Sequence, residues 1–267
     1  MIQHNFSICY PNVWHLTLES VLPIIEAWDK GIIKSGDSVL VPDYEIYPHE
    51  MIKSILEGVE VVRVHIPYHC YPGLPQVNSY LSQPRNLGSV KRLADSLLTH
   101  IDKRVVGTNA VYMTVRLHNR RWMPMDNVQK LIDALPDHNF YVIFHPEHEG
   151  FIAGKKIAVP EIKNATVFID PSYKDQLELA HSCPYSICVG GAGSVYPQLT
   201  GKLHIAIVPC EASEREPNLM AASDMPKLKI LTDKKVCRDQ NGNHWNDDIE
   251  KVTVENVLYE FEMLKRR

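Results

Sequence analysis

Arg116 and Arg120 stand four residues apart, with Arg121 beside the second, directly after the apolar run Val111–Val115. A guanidinium presents a planar fork of donors that matches a diphosphate, so such a cluster at a strand end can neutralise a phosphate-bearing ligand without a metal ion. The same arginines also fit an ordinary solvated loop. Gly190-Gly191-Ala192-Gly193-Ser194 follows a second apolar run and precedes VYPQLTG, a predicted helix. Small residues let a ligand approach the backbone, and a helix start offers unpaired N–H groups and a positive dipole end. Ser194 either caps that helix or binds phosphate. A tight strand-to-helix turn without a ligand accounts for the glycines equally well. The segment lacks the third glycine of a dinucleotide fingerprint, and Ser194 is not centred between glycines as in a nucleophile elbow.

Proton-handling groups lie elsewhere. His15 and Glu19 are four apart, so on an α-helix they share a face. A carboxylate beside an imidazole fixes its tautomer and raises its basicity, which makes the pair a candidate general base; a buried, hydrogen-bonded histidine is the plainer reading. Asp43 and Glu45 follow a predicted strand and are the alternative bases. Gln176, near the start of a helix after Asp170-Pro171-Ser172, either binds ligand or caps the helix. Glu211, Glu214 and Glu216 fit a ribose diol or a solvated surface. His145, Glu147, His148 and Glu149 match neither zinc-helix spacing, and Pro146 opposes a helix, so no metal site is expected; His145 or Glu147 instead fits a cleft edge.

The elements that must position these groups alternate. Predicted strands cover 38–41, 59–65, 111–116, 140–145, 166–169, 186–189, 204–208 and 228–231. Predicted helices cover 16–30, 48–56, 89–101, 125–135, 174–181, 194–199 and 254–265. Several strands read as β-branched and apolar throughout, which suits a parallel sheet covered on both faces. Strands alternating with helices imply βαβ units. A Pro- and Gly-bearing stretch over 71–88 interrupts the series. The expectation is an α/β chain of two Rossmann-like lobes with a cleft between them, residues 1–105 on the acceptor side and 106–267 on the donor side, the last helix packing on either lobe. In open α/β sheets ligands bind beyond the carboxyl ends of the strands, where RLHNRR, HPEHEG, GGAGS and VPDYE all fall.

Composition narrows the class. The 267 residues are 45% hydrophobic, ample for a core, and carry a net charge of -4, which gives no footprint for duplex nucleic acid. The opening MIQHNFSICYPN lacks a charged n-region with an apolar h-region, and no run approaches the ~20 apolar residues of a membrane span. A cytoplasmic protein without a transmembrane segment is expected. The six cysteines form no C-x-x-C pair, so reduced, mostly buried thiols are expected.

Taken in order, these segments resemble glycosyltransferase family 61. Asn12…His15…Glu19 followed by Val21-Leu22-Pro23 is similar to its N-x-x-H-x-x-x-[DE]-x-L-P opening. Gly36–Asp43 resembles its first strand, Arg116…Arg120-Arg121…Asn127 its arginine-rich segment, Asp175-Gln176 its E-Q, and Val189–Gly193 its G-x-H-G-A-G. Gly190 departs from the pattern, standing where the family commonly has His; any contact made by that His is absent here or supplied elsewhere, for example by His145. The compact form is similar to bacterial and large-virus members, xylosyltransferases among them, which would act in a cytoplasm. The resemblance implies a GT-B-like fold and an inverting, metal-independent transfer from a UDP-sugar, UDP-xylose before UDP-GlcNAc, to a glycan hydroxyl. It implies no cofactor beyond the donor substrate. It assigns donor contacts to Arg116, Arg120, Asn127, His145, Gln176, Gly191, Gly193 and Ser194, and the base to Glu19 with His15, Asp43 in reserve. The rivals are a non-catalytic nucleotide- or carbohydrate-binding module and another nucleotide-dependent α/β enzyme, such as an epimerase or an NAD enzyme.

Overall fold

A computed structural model describes residues 1–5, 16–42, 49–64, 87–115, 125–144, 158–189, 192–207, 228–231 and 252–266. The chain divides into two compact units, with the change from the first to the second at Asp102–Lys103. Residues 103–105, assigned from the sequence to the first lobe, therefore belong to the second unit. Arg104 explains the shift: its backbone N–H donates to Ser182 Oγ at 2.7 Å and its guanidinium binds Asp175 and Glu178, all in the second unit.

The first unit is a parallel three-stranded sheet in the order β1 (Gln3–Asn5), β2 (Ser38–Pro42), β3 (Glu60–Val64). Its helices are α1 (Leu22–Asp29), α2 (His49–Ile55) and α3 (Leu87–Thr99). Ile24 and Ile25 of α1, Met51 of α2 and Leu93 and Leu97 of α3 are buried with Val39 of β2. Asp29, at the end of α1, accepts hydrogen bonds from Ser89 and Arg92 and so pins α3 to α1.

The helix expected from residue 16 is not α-helical at its start. Leu16–Val21 winds as a π-helix, and α1 begins only at Leu22. Pro23 supplies the reason. In an α-helix its N–H would serve the carbonyl of Glu19, but proline has none, and a π turn offers that carbonyl the next N–H instead. Glu19 lies in this π turn, while His15, its partner in the sequence pattern, lies outside the described residues. β1 was not expected at all, because Gln3-His4-Asn5 has no apolar pattern.

The second unit holds a six-stranded, wholly parallel sheet in the order β6-β5-β4-β7-β8-β9. The strands are β4 (Ala110–Thr114), β5 (Asn139–Phe144), β6 (Ala165–Ile169), β7 (Tyr185–Val189), β8 (Leu203–Ile207) and β9 (Leu228–Leu231). The helices are α4 (Met125–Asp133), α5 (Tyr173–Ser182), α6 (Ala192–Leu199) and α7 (Val254–Lys265). β4–β6 run outward one way and β7–β9 the other, which is the doubly wound arrangement with its reversal between β4 and β7.

The two faces of this sheet differ. Val111, Met113, Val115, Ile187, Val189, Ile205 and Ile207 point to one face, where Val128, Leu131 and Ile132 of α4 and Val257, Phe261 and Leu264 of α7 close an apolar core. Each fully buried side chain of this kind contributes about 1.5–3 kcal/mol. The final helix thus packs on the second unit. The opposite face, under α5 and α6, carries Tyr112 and Thr114 of β4, Ser186 and Cys188 of β7, and His204 of β8. Polar side chains thus sit on this second face among buried apolar ones such as Ile143 and Ala206.

Candidate functional site at the carboxyl edge of the second sheet

Period-two alternation and the strand register arrange the polar face in rows. Tyr112, Ser186 and His204 are opposite one another, and Thr114, Cys188 and Ala206 form the next row towards the carboxyl edge. The inner row is sealed. Ser186 Oγ lies 2.7 Å from His204 Nδ1, and His204 Nε2 meets no partner. Burial holds the imidazole neutral, moving its pKa from 6.5 to about 3. Burial also drives the Tyr112 phenol well above its ordinary value and pushes the Cys183 thiol up to about 12. A neutral imidazole, a protonated phenol and a protonated thiol supply neither base nor nucleophile, so these buried groups are scaffold.

The outer row is different. Thr114 is the last residue of β4, at the sheet reversal. It is 8% exposed, and its Oγ1 has no hydrogen-bond partner. A buried hydroxyl without a partner costs on the order of 1–3 kcal/mol. Facing it is the first turn of α6. A Cβ placed on Gly193 would lie 2.5 Å from Thr114 Oγ1 and 2.8 Å from both Cβ and Cγ2. Only glycine lets the helix start sit this close to the strand end. The opening N–H groups of α6 have no partners within the helix. Pro197, inside α6, also has no N–H to return to the carbonyl of Gly193. Gly201, at φ 71, lets the chain leave α6 for β8.

The residues singled out in the sequence distribute as follows. Gly193 lies in this first turn. Ser194 is not the cap: α6 starts at Ala192, so Ser194 is inside the helix, fully buried, accepting a hydrogen bond from Gln198 Nε2 at 3.1 Å. That position turns its hydroxyl inward, to Gln198. Gln176 is 4% exposed and donates through Nε2 to the Pro171 carbonyl at 3.1 Å, a contact within its own helix start, while Ser172 caps α5. Asn127 is half-buried in the first turn of α4. Glu19 is described through its backbone, in the π turn of the first unit. His15, Asp43, Arg116, Arg120, His145 and Gly191 lie outside the described residues. Arg116 and His145 nonetheless follow directly in sequence from Val115 and Phe144, which reach the same carboxyl edge as Val189 and Ile207.

Thr114 escaped the sequence reading because it closes a strand that scans as apolar. The signal present was the alternation Tyr112-x-Thr114, Ser186-x-Cys188 and His204-x-Ala206. Among the described residues, no three His, Cys, Asp or Glu side chains gather as a metal site, and Cys183 and Cys188 are buried thiols outside any disulfide. Among those residues, too, no helix is long and apolar enough to cross a membrane.

No protein-family model matches the sequence, and no curated protein matches it at a significant level. Solved structures do match. The iron-containing dodecameric glycosyltransferase TibC of enterotoxigenic E. coli H10407 is similar over 99% of this chain and 76% of its own, with a TM-score of 0.59 at 12% identity. The E. coli heptosyltransferase WaaC with ADP is similar over 91% of this chain and 77% of its own (TM-score 0.46, 12% identity). E. coli ADP-heptose heptosyltransferase II covers 91% and 80% (TM-score 0.45, 11% identity). At such identity the likeness to TibC is one of fold: the chain has a two-unit, GT-B-like α/β architecture.

Proposed function

We propose that this chain is a glycosyltransferase that moves a sugar from a nucleotide-sugar donor to an acceptor hydroxyl. The observation that carries the reading is the reversal of the second sheet, where the glycine-bearing start of α6 meets the open end of β4 in a fold shared with TibC. That is where an open α/β sheet receives a nucleotide, and a helix start there favours its phosphates. The resemblance to glycosyltransferase family 61 supports the finer reading: a UDP-sugar, UDP-xylose first, inversion at the anomeric carbon, and no obligatory metal. In this scheme Arg116 and Arg120 neutralise the departing diphosphate, with Asn127 and Gly191 beside it. Glu19, oriented by His15, takes the proton from the acceptor hydroxyl as it attacks in line, with Asp43 the alternative base.

Thermal unfolding in the presence of UDP, GDP, CMP, UDP-xylose, UDP-GlcNAc, UDP-glucose and NAD, with and without EDTA, tests this. A ligand at 100 times its Kd stabilises the fold by about 2.7 kcal/mol. Selective stabilisation by UDP compounds, unchanged by EDTA, is the expected result. No shift with any UDP compound at millimolar concentration would refute the donor reading, and a shift with NAD alone would replace it with an NAD enzyme. Gly190, standing where the family pattern has His, favours one rival, a binding module without catalysis. Donor binding without hydrolysis or transfer across a broad acceptor panel would establish that rival.

A further inference from the structure

We infer that the Thr114 hydroxyl is a ligand group: it donates a hydrogen bond to a phosphate oxygen held at the opening turn of α6. The inference rests on the nucleotide-sugar reading for the source of that phosphate, but its geometry is independent of it. Two observations meet at one place. α6 starts against the sheet reversal with its first N–H groups unpaired inside the helix and its positive dipole end towards the strand ends. Thr114 Oγ1 is the heavy atom nearest the vacant Cβ position of Gly193 in that turn, and it has no partner.

The neighbours of Thr114 do not meet its need. In its own row, Cys188 offers a weakly bonding thiol and Ala206 offers nothing. Tyr112 also carries an unpartnered hydroxyl, but it is 0% exposed, one row deeper beneath α6. Thr114 closes its strand, one row nearer the carboxyl edge at which a phosphate would be held. Gly193 then has a double role. It permits the close approach of helix and strand, and it puts no side chain of its own between the Thr114 hydroxyl and the opening turn of α6. A threonine hydroxyl stays protonated across the working pH range, so this contact reads phosphate by donation and does not titrate.

The test uses the full chain and calorimetric titration with inorganic pyrophosphate, UDP and uridine. Thr114→Val keeps the volume and removes the hydroxyl. It should weaken pyrophosphate and UDP by a common factor of about tenfold, equivalent to ~1.4 kcal/mol, and leave the melting temperature of the ligand-free protein undiminished. Thr114→Ser should bind both within about twofold of wild type. Thr114→Ala lacks the same methyl as Thr114→Ser and differs from it only in the hydroxyl, so this pair decides the matter if the valine does not fold. Wild-type affinity for pyrophosphate and UDP in folded Thr114→Val or Thr114→Ala would overturn the assignment while leaving the UDP donor reading intact. Thr114-dependent pyrophosphate binding with no gain from the uridine moiety would uphold the anion contact and remove the UDP reading. Wild-type protein that binds neither probe would overturn both.

Discussion

Gly193→Ala measures how closely α6 rests on the end of β4. The added methyl would stand 2.5 Å from Thr114 Oγ1 and 2.8 Å from its Cβ and Cγ2, where unstrained carbon contacts lie at about 3.5–4.0 Å. Rotating the threonine side chain moves Oγ1 and Cγ2 but leaves Cβ in place. The helix start and the strand end must therefore separate by the better part of an ångström. Overpacking of this kind costs about 1–3 kcal/mol. Alanine returns roughly 0.8–1 kcal/mol through its higher helix propensity. The expected outcome is a net loss of up to about 2 kcal/mol, read as a lower urea midpoint at unchanged slope. Thr114→Ala removes two of the three clashing atoms, so the double variant should recover much of the loss, with a coupling of about 1 kcal/mol in the cycle. Gly193→Ala that is more stable than wild type by its propensity alone, with no coupling to position 114, would refute the close contact and the reason given for glycine here.

Three further outcomes follow from other contacts. His204 has a pKa of about 3 when folded and about 6.5 when free, so between these values the unfolded chain binds the extra proton. Stability should fall as pH drops through that window, by up to about 1.4 kcal/mol per pH unit from this residue; His204→Phe should flatten the slope in urea titrations, and an unchanged slope would contradict it. His181, moved to about 4 mainly by burial, acts in the same direction. Arg104→Ala removes the partner of Asp175 and Glu178 and should destabilise the second unit by roughly 1 kcal/mol, with a smaller loss at high salt, measured by thermal unfolding. Thr253→Ala breaks the capping box with Asn256 at the start of α7 and should cost about 1 kcal/mol; Thr253→Ser should restore most of it in the same melts.

Local pattern carried the element order. Alternating apolar strands and amphipathic helices marked the eight longer strands, and each lay within two residues of its observed ends. What pattern could not reveal depends on register and distance. Thr114 meets Gly193 only because β4 and β7 pair side by side, a pairing set by the whole sheet. β1 forms from three polar residues because Asp37 supplies partners that its own pattern does not advertise. Ser194 failed as a cap because α6 starts two residues early, and the π winding at Leu16–Val21 follows from one missing N–H at Pro23. The arginines and the candidate bases were legible as chemistry, but their positions lie in segments outside the described residues.

Asp37 gives the first unit an acid-sensitive mooring. Its carboxylate accepts the backbone N–H of Ile2 at 2.8 Å and of Lys34 at 3.1 Å, and His4 Nε2 lies 3.3 Å away. The Ile2 N–H, ahead of the Lys34 N–H and His4, holds its pKa below the ordinary carboxylate value despite the opposing effect of burial. Above the ordinary value this contribution is fully present, and it fades as pH falls through the lowered one. Protonating one side chain thus loosens the attachment of an entire strand, while the Ser38 N–H to Ile2 carbonyl bond at 2.9 Å remains to hold it. Amide exchange should show Gln3–Asn5 opening at acid pH as a separate, low-energy unit, well before the six-stranded sheet yields. The chain's amino end then behaves as a detachable border on a lasting core, released one proton at a time.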